Sequence, residues 1–331
     1  MSVVPGTDSR QRVLEEIRSA EHFLLITHEH PDGDALGSLL GMHGVLTALG
    51  KDALMFMAPD ELPLPPEYRW LDVSAMVSAV PDDLDARVVI FLDCGNIDRN
   101  PVTSVRSEGS HILNLDHHHD NTRFGDVDHV VPSASCTAEI VWDLMHELGV
   151  RPTREIADAL YVGLVTDTGK FQYENTGPRA HLMAADLIEA GVDTHDIYRR
   201  LYEDMPFAKL ELLGRALSNV TRHDDGRLTM TVLHREDFES AGAEDSLSEG
   251  VIDHLRSVDG TKVAAVVREI DGVKRKISLR STDGEVDVSA IARLAGGGGH
   301  QRAAGVTTEM TDDEIVAFLL EQIAAQLGRP R

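Results

Sequence analysis

Short apolar segments that alternate with longer amphipathic ones dominate the first 190 residues of this chain. Residues 22–27, 86–93 and 111–116 are apolar runs of the length of a buried strand, and 52–57 is a fourth run of this type. Apolar residues recur at helical spacing in segments 35–49, 135–149, 153–167 and 177–191. Because strands that alternate with helices lie parallel, the pattern predicts an α/β domain with a doubly wound, mainly parallel sheet.

Aspartates and histidines follow the predicted strands, at the edge where ligands bind to an open parallel sheet. Counting the end of helix 153–167, these residues are His28, Asp32, Asp34, Asp93, Asp116, His117, His118 and Asp167. Carboxylate and imidazole donors suit Mn²⁺, Mg²⁺, Fe²⁺ or Zn²⁺, and there are enough of them for two ions. Since two ions about 3.5–4 Å apart promote displacement at phosphorus, the chain is predicted to be a two-metal phosphoesterase.

Each of these segments has a simpler explanation when it is taken alone. Asp34 could cap the helix that follows it, Asp93 could form a turn at the end of its strand, and Asp167 could be a solvated residue at a helix end. The run 116–119 could be a solvated histidine tract. Four segments of matching composition favour one shared site, in which Asp93 bridges the ions because a central carboxylate can offer one oxygen to each. Asp116 is expected to orient an imidazole from behind the ligands.

Length, hydropathy and cysteine content limit the class of protein. A chain of 331 residues with 42% apolar residues is expected to fold and is long enough for two domains. It contains no apolar run of about 18 residues, so no membrane span is expected. The first residues lack the pattern of a secretory signal, and with only Cys94 and Cys136 we expect a reducing, cytoplasmic location.

The net charge of −25 limits the binding partners. Proteins hold long nucleic acids by neutralising many phosphates with Lys and Arg, so an acidic surface should repel a long duplex. A small anion can still bind where metal ions and a few arginines reverse the local field. We therefore expect short phosphorylated substrates, no long duplex nucleic acid and no membrane partner.

The sequence pattern changes beyond residue 190. Segment 191–217 is helical in pattern and is predicted to connect domain 1–190 with a smaller domain, 218–331. The elements predicted in the second domain are antiparallel strands at 227–234, 261–270 and 273–281, Asp-Gly turns at 225–226 and 271–272, and helices at 288–294 and 311–327. This domain is therefore predicted to be α+β.

A glycine run, 296–299, lies in the second domain. Successive glycine N–H groups can cradle a phosphate, and the histidine and arginine after the run add donors or charge, although a flexible linker is the alternative. The basic cluster 273–281 could be a solvated strand face, or it could contact substrate near the end of the strand. The predicted substrate-binding residues are Arg280, Gly297, Gly298, Gly299, His300 and Arg302.

Together these motifs resemble a known family. The four N-terminal segments, THEHPDGDALGS, IFLDCGN, NLDHHHDN and GLVTDTG, are similar to the motifs of the DHH phosphoesterase superfamily. The segment GGGGHQRAAG is similar to the signature of its C-terminal DHHA1 domain. The group that the chain most resembles is the bifunctional oligoribonucleases and 3′-phosphoadenosine-5′-phosphate phosphatases, also called nanoRNases.

The resemblance implies a role for each motif residue. One ion, expected to be Mn²⁺ with Mg²⁺ or another divalent ion as the alternative, would be held by His28, Asp32 and Asp93. The second ion would be held by Asp34, Asp93, His117 and Asp167. His118 would face the scissile phosphate, and Asp93, His118 and Asp116 would form the catalytic set. The DHHA1 domain would hold the nucleotide in a cleft between the two domains.

The resemblance also implies the reaction. Water activated by the two cations would hydrolyse oligoribonucleotides of about two to five nucleotides to 5′-mononucleotides, a length that agrees with the exclusion of long duplexes. The same site would remove the 3′-phosphate of 3′-phosphoadenosine-5′-phosphate. The alternatives are a phosphodiesterase for cyclic di-AMP or pApA, a manganese inorganic pyrophosphatase, and an inactive nucleotide sensor. A homodimer is left open.

Overall fold

A computed structural model describes residues 7–100, 102 and 110–328. The chain forms two compact units, Met1–Asp204 and Met205–Arg331, and each contains a six-stranded sheet. The division lies inside 191–217, the segment predicted as a connector, because helix Thr194–Tyr198 belongs to the first unit and helix Phe207–Ser218 to the second. None of the helices in the described residues is long and apolar enough to span a bilayer.

The first unit is built on a parallel sheet. Its strands are β1 (His22–Ile26), β2 (Asp52–Phe56), β3 (Met76–Val77), β4 (Val88–Leu92), β5 (Ile112–Asp116) and β6 (Val127–Val130). They lie in the order β3-β2-β1-β4-β5-β6, and every neighbouring pair is parallel. The predicted doubly wound, mainly parallel sheet is therefore confirmed, and its strand order reverses between β1 and β4.

Helices pack against this sheet. They are α1 (Thr7–Ser19), α2 (Gly33–Ala48), α3 (Thr137–Glu147), α4 (Arg154–Asp167), α5 (Pro178–Glu189) and α6 (Thr194–Tyr198). Since strand side chains alternate between faces, Phe23 and Leu25 of β1 join the core cluster that contains the apolar residues of α2 and α4. Leu24 and Ile26 join a second, smaller cluster with residues of β4.

The contact between α2 and α4 depends on glycine. Four glycines recur along α2 where it faces its neighbours: Gly33, Gly37, Gly41 and Gly44. A Cβ on Gly37 would lie 2.5 Å from the carbonyl oxygen of Ala159 in α4. On α4, a Cβ on Gly163 would lie 2.9 Å from Asp34 Oδ1. The two helices can therefore approach more closely than larger side chains would allow.

The second unit is built on a mixed sheet. Its strands are β7 (Thr221–His223), β8 (Leu228–Leu233), β9 (Val263–Glu269), β10 (Arg275–Ser281), β11 (Gly298–His300) and β12 (Ala303–Thr308). They lie in the order β11-β12-β10-β9-β8-β7. The pairs β7–β8 and β9–β10 are antiparallel, as the Asp-Gly turns predict.

One strand pair of this sheet differs from the prediction. Strands β8 and β9 are parallel, so the expectation of antiparallel pairing was wrong for them. The connection between them contains two helices, Arg235–Ala241 and Val251–Arg256. This connection returns the chain to the end of the sheet at which β8 begins. A parallel pair requires such a crossover connection, whereas a hairpin requires only a short turn.

Two groups of helices cover opposite faces of this sheet. The helices are α7 (Phe207–Ser218), α8 (Arg235–Ala241), α9 (Val251–Arg256), α10 (Val288–Leu294) and α11 (Asp312–Gln326). Helices α7, α8 and α9 form a core with Ala264 and Val266 of β9. Helices α10 and α11 pack on the other face, where Ile277 and Leu279 of β10 lie. The mixed α and β content agrees with the predicted α+β domain.

The glycine run predicted to cradle a phosphate lies in a β-hairpin. Strand β11 contains Gly298, which pairs with Gly305 of β12. A Cβ on Gly297 would lie 2.2 Å from the carbonyl oxygen of Gly305, so close backbone packing requires glycine there. A Cβ on Gly298, in contrast, would meet nothing within 4 Å in the described residues. One of these two neighbouring glycines is therefore structural, and the other leaves open space above the sheet.

Replacing these two glycines by alanine separates the two roles. We expect Gly297→Ala to destabilise the second unit by about 1–3 kcal/mol, because the added methyl group forces the hairpin apart. Gly298→Ala is the matched control and should change the free energy of unfolding by less than about 0.5 kcal/mol. Thermal and urea unfolding would measure both. Equal destabilisation by the two substitutions would contradict the hairpin packing.

Candidate metal centre

The carboxyl ends of neighbouring strands in the first unit bring the predicted ligands together. His28 follows β1, Asp93 follows β4, and Asp116 is the last residue of β5. These strands are adjacent in the sheet, at and beside the point where the order reverses. Two helix ends complete the site, with Asp34 in the first turn of α2 and Asp167 at the end of α4.

Three groups of side chains have ligand atoms within 4.8 Å of one another, which is close enough to share a cation. They are His28, Asp32 and Asp93; Asp34, His117 and Asp167; and Asp93, His117 and His118. The first group matches the ligand set predicted for one ion. The second and third together contain the set predicted for the other ion. The structure therefore brings all six predicted metal ligands into one site.

Asp93 lies between the two predicted ligand sets. Its Oδ2 is 3.7 Å from His28 Nε2, and its Oδ1 is 3.7 Å from His117 Nε2. One oxygen therefore faces each set, as a bridging carboxylate requires. Asp93 has a left-handed backbone conformation with φ of 59°, which is uncommon for a residue other than glycine and is frequent at functional sites. The hydroxyl of Thr137 donates to Oδ1 at 3.0 Å and fixes its direction.

Asp34 is buried and held by the N-terminus of α3. The backbone N–H groups of Thr137 and Ala138 donate to its two carboxylate oxygens at 2.6 and 2.9 Å. Ser38 donates to Oδ1 at 3.2 Å. A helix N-terminus favours negative charge, so this contact stabilises the carboxylate in its charged form. The helix cap considered for Asp34 is instead made by Asp32, whose Oδ1 accepts from the N–H groups at the start of α2.

The protonation of the His28 ring decides whether it can bind a metal. Its Nδ1 lies 2.7 Å from the Glu29 carbonyl oxygen and 2.7 Å from Arg99 Nη2. When Nδ1 donates its proton to Glu29, Nε2 on the side of Asp93 is free to bind a cation. Arg99 follows β4 on the same edge of the sheet as Asp93, and its guanidinium can donate to Nδ1 only in the other tautomer, in which Nδ1 carries no proton.

A hydrogen-bond chain orients His118. Its Nδ1 donates to Asp116 Oδ1 at 2.8 Å, which leaves Nε2 for another partner. Asn121 donates to Asp116 Oδ2 at 2.5 Å, and the backbone N–H of His117 donates to Oδ1 at 2.8 Å. Asp116 is fully buried and faces the histidines rather than the other aspartates. An orienting role for Asp116 would require contacts of this kind, and the role itself stays a prediction.

Asp167 completes the second ligand set. Its Oδ2 lies 3.7 Å from His117 Nε2, and the side-chain amide of Asn175 donates to the same oxygen at 3.1 Å. The same amide also donates to the carbonyl oxygen of Ser135 at 2.7 Å. The Asn175 side chain is therefore held by two acceptors, one of which is the Asp167 carboxylate. His117 Nε2 is also 4.0 Å from Asp34 Oδ2. Asp34 and Asp167 therefore both lie near the same nitrogen of this ring.

The acids of this site repel one another. Burial, with the charges of Asp93 and Asp167, raises the pKa of Asp34 well above its usual range. Burial also raises the pKa of Asp167 to about 7, with the charge of Asp93 adding to the effect and His117 opposing it. A divalent cation would relieve this repulsion, and the oxygen and nitrogen donors are those that Mn²⁺ or Mg²⁺ accepts. The residues present therefore fit a metal centre.

The pKa values of Asp93 and His118 shift in the direction that favours the charged form of each side chain. Burial raises the pKa of Asp93, but the His28 ring beside it and the charges of His118 and His117 outweigh it and hold the pKa below its usual range. Burial lowers the pKa of His118, but the hydrogen bond to Asp116 and the charge of Asp93 outweigh it and raise the pKa to about 9. His118 is therefore positively charged at neutral pH in the absence of bound cations.

The predicted substrate-binding residues lie in the second unit. Arg280 of β10 pairs with Ala303 beside the glycine hairpin. The guanidinium of Arg302 lies against the turn at Gly284 and donates to the carbonyl oxygen of Asp283 at 3.5 Å. His300 is the last residue of β11, and its side chain lies outside the part of the structure that is described.

Residues that hold the ligands in place were not predicted from the sequence. They are Ser38, Arg99, Asn121, Thr137, Ala138 and Asn175. Asn121 lies in the segment NLDHHHDN, so its closeness to the histidines was an available signal. Thr137 and Ala138 act mainly through backbone N–H groups, which carry no sequence signal until the position of the helix start is known.

Comparison with known proteins agrees with this geometry. Residues 22–164 match the model of the DHH family N-terminal domain, and residues 227–328 match the DHHA1 domain. The chain is 37% identical to the bifunctional oligoribonuclease and PAP phosphatase NrnA of Thermus thermophilus, over 96% of this chain and 94% of that protein. This chain belongs to the DHH family. Its matched segments include the whole metal centre except Asp167.

Other relatives and solved structures extend the comparison. A protein of the same name from Bacillus subtilis is 24% identical over 94% of this chain and 97% of its own length. The crystal structure of an exopolyphosphatase-related protein from Bacteroides fragilis superposes with a TM-score of 0.87 at 25% identity, covering 98% of each chain. The exonuclease RecJ bound to manganese has the same fold, with a TM-score of 0.55 at 16% identity and coverage of 100% of this chain and 97% of its own.

Substitution of the bridging residue should remove metal binding. We expect the wild-type protein to bind two Mn²⁺ per chain, His28→Ala to keep one, and Asp93→Ala to bind neither tightly, because both sets share Asp93. Asp60→Ala is the control, since Asp60 lies in a 3-10 helix outside the ligand groups. Isothermal titration calorimetry and the exchange-coupled Mn²⁺ signal in electron paramagnetic resonance would measure this. Two tight sites in Asp93→Ala would contradict the assignment.

Proposed function

We propose that this protein is a divalent-metal-dependent phosphoesterase that hydrolyses short oligoribonucleotides to 5′-mononucleotides and removes the 3′-phosphate of 3′-phosphoadenosine-5′-phosphate. The observation that carries this proposal is the position of Asp93, with one oxygen towards each of two complete ligand sets. The relatives from Thermus thermophilus and Bacillus subtilis, which are named for both activities, support the choice of substrates.

The metal would be held by the side chains described above. His28, Asp32 and Asp93 would bind one ion, and Asp34, Asp93, His117 and Asp167 would bind the other. Bound there, two divalent ions, preferably Mn²⁺, would supply charge that polarises the phosphoryl oxygens and makes water a better nucleophile. Four aspartates largely balance two such cations, so the loaded site would accept an anionic substrate that the acidic surface elsewhere repels.

His118 is proposed to contact the scissile phosphate. With Nδ1 held by Asp116, Nε2 would be the ring nitrogen that donates to a phosphoryl oxygen or to the leaving oxygen. A charged donor held in fixed direction stabilises the negative charge that develops at phosphorus, without reorganisation during the reaction. Asp116 and Asn121 act through His118 and are therefore positioning residues.

The second unit is proposed to bind the nucleotide. Arg280 is half-buried on β10 and has no carboxylate within 4.0 Å among the described residues, so its charge is available to a phosphate. The open space above Gly298, which lies two strands from β10 in the same sheet, can admit a ligand close to the backbone. His300 is the last residue of β11 and Arg302 lies in the turn that leads to β12, and both are proposed as further contacts.

A panel of substrates tests the proposed activity. It contains pApA, 3′-phosphoadenosine-5′-phosphate, cyclic di-AMP, pyrophosphate and a 24-mer RNA, each with Mn²⁺ and with chelator. We expect hydrolysis of the first two in Mn²⁺ alone and little hydrolysis of the 24-mer. Faster turnover of cyclic di-AMP or of pyrophosphate than of pApA would replace the proposed substrates, and no hydrolysis at all with Mn²⁺ bound would refute the proposal.

Two substitutions separate metal binding from the contact to phosphate. We expect Asp93→Ala to lower Mn²⁺-dependent turnover of pApA by at least about a thousandfold, because both ions lose a ligand. His118→Asn should lower kcat by roughly 10²–10³ while two Mn²⁺ still bind, because it removes only the charged donor. Steady-state kinetics with metal titration would measure both. Wild-type kcat in His118→Asn would rule out its catalytic role.

A further inference from the structure

A cavity of about 460 Å³ lies on the face of the second sheet that carries α7, α8 and α9. One wall is formed by side chains of β9 and β10, which include Arg268, Lys276 and Arg280. Segment 245–253, which runs from the loop after α8 into the first turn of α9, forms the other wall. All of these residues lie in the second unit, so the cavity is a property of that unit alone. Its volume lies in the range of small-molecule sites.

Three positively charged side chains share one face of this sheet. Lys276 and Arg268 are directly paired across β10 and β9, so their side chains project from the same face next to each other. Arg280 projects from that face four residues further along β10. Like charges directly opposite in a strand pair are unfavourable. An anion bound between them would relieve this repulsion.

The charges of the cavity are not equally available. Arg268 is near Asp245, at 3.6 Å, and Asp245 also pairs with Arg235 at 2.6 Å. Lys276 and Arg280 have no carboxylate within 4.0 Å among the described residues. In a chain with a net charge of −25, two cations without acidic partners on one strand are a local exception. Lys276 and Arg280 are therefore the side chains of this wall whose charge is available to a phosphate, whereas Arg268 is already engaged with Asp245.

The opposite wall carries acids and hydroxyl groups. Its acids are Asp245, Glu249 and Asp253, and Ser246 and Ser248 add hydroxyl groups. Asp245 is neutralised by the two arginines, and Asp253 lies 3.5 Å from Arg256. Carboxylates and hydroxyls accept hydrogen bonds from N–H groups, which the edges of nucleobases carry. The cavity thus has one wall suited to phosphates and one suited to bases.

The spacing of the basic side chains agrees with a nucleic-acid strand. Residues two apart on a strand are about 6.6 Å apart, so Arg280, Ser278 and Lys276 form a row about 13 Å long. This row can accompany the successive phosphates of an extended single strand. Ser278 is in register with Gly305 and Gly298 on the next two strands, so a strip without large side chains crosses the middle of the row.

We propose that Lys276, which lies next to Arg268, forms a second phosphate subsite that binds the backbone of oligonucleotides longer than two nucleotides, while Arg280 binds a phosphate nearer the glycine hairpin. This inference rests on the proposed oligonucleotide substrate. It assigns to the cavity the preference of the protein for oligonucleotides of a certain length. A dinucleotide has one interval between phosphates and is too short to reach from Arg280 to Lys276, whereas a tetranucleotide can reach both.

Binding without hydrolysis tests the subsite. The probes are 5′-phosphorylated di- and tetraadenylates with a 3′ fluorophore, and anisotropy is measured on the full chain in chelator at several salt concentrations. We expect Lys276→Ala to weaken tetraadenylate binding about tenfold and to reduce the salt dependence by about one ion, with a smaller loss for diadenylate. Lys209→Ala removes the same charge from α7, outside the cavity, and is the matched control.

The outcomes separate the subsite from the proposed function. Equal losses for the two probes in Lys276→Ala, or equal losses in Lys276→Ala and Lys209→Ala, would overturn the subsite while wild-type hydrolysis of pApA in Mn²⁺ leaves the proposed function intact. Wild-type protein that neither binds tetraadenylate nor hydrolyses pApA would overturn both. A length-dependent loss confined to Lys276→Ala would support the subsite.

Discussion

The mutual repulsion of four aspartates is the constraint on which the first unit depends. Asp32, Asp34, Asp93 and Asp167 are grouped within one small site, and Asp34 and Asp93 are almost completely buried. The fold opposes the repulsion with fixed donors: the start of α3 for Asp34, the start of α2 for Asp32, Thr137 for Asp93 and Asn175 for Asp167. These contacts stabilise charge but do not neutralise it. The remaining negative potential is what makes the site selective for a cation.

Close packing of two helices fixes the relative positions of two of these aspartates. Asp34 and Asp167 lie at opposite ends of their helices, α2 and α4, yet both must reach His117. The glycines of α2 allow the two helices to approach closely, so that the start of one lies beside the end of the other. Larger side chains along this contact would separate the helices and with them the two ligands. Much of the geometry of the centre is therefore decided by residues without functional groups.

The sequence predicted the first sheet and the clustering of its ligands because both follow from general rules. Buried parallel strands appear as continuous apolar runs, and residues after such strands meet at one edge. The parallel pairing of β8 and β9 could not be predicted in the same way, because alternation along a strand is the same in parallel and antiparallel pairs. The supporting contacts of Asn121 and Asn175 depend on loop conformations that spacing alone does not encode.

The distribution of charge on this acidic chain affects which anions can bind to it. Many of its cations are already paired with acids, as Arg87 with Asp83 and Lys262 with Asp283. At physiological ionic strength, charges more than about 8 Å apart are largely screened, so a short anion responds to the groups beside it rather than to the net charge. A long duplex contacts a wide surface and meets the net charge. Under the proposed function, this distribution would admit a short substrate to a few cations without acidic partners and would disfavour a long duplex, so size selection would require no separate gate.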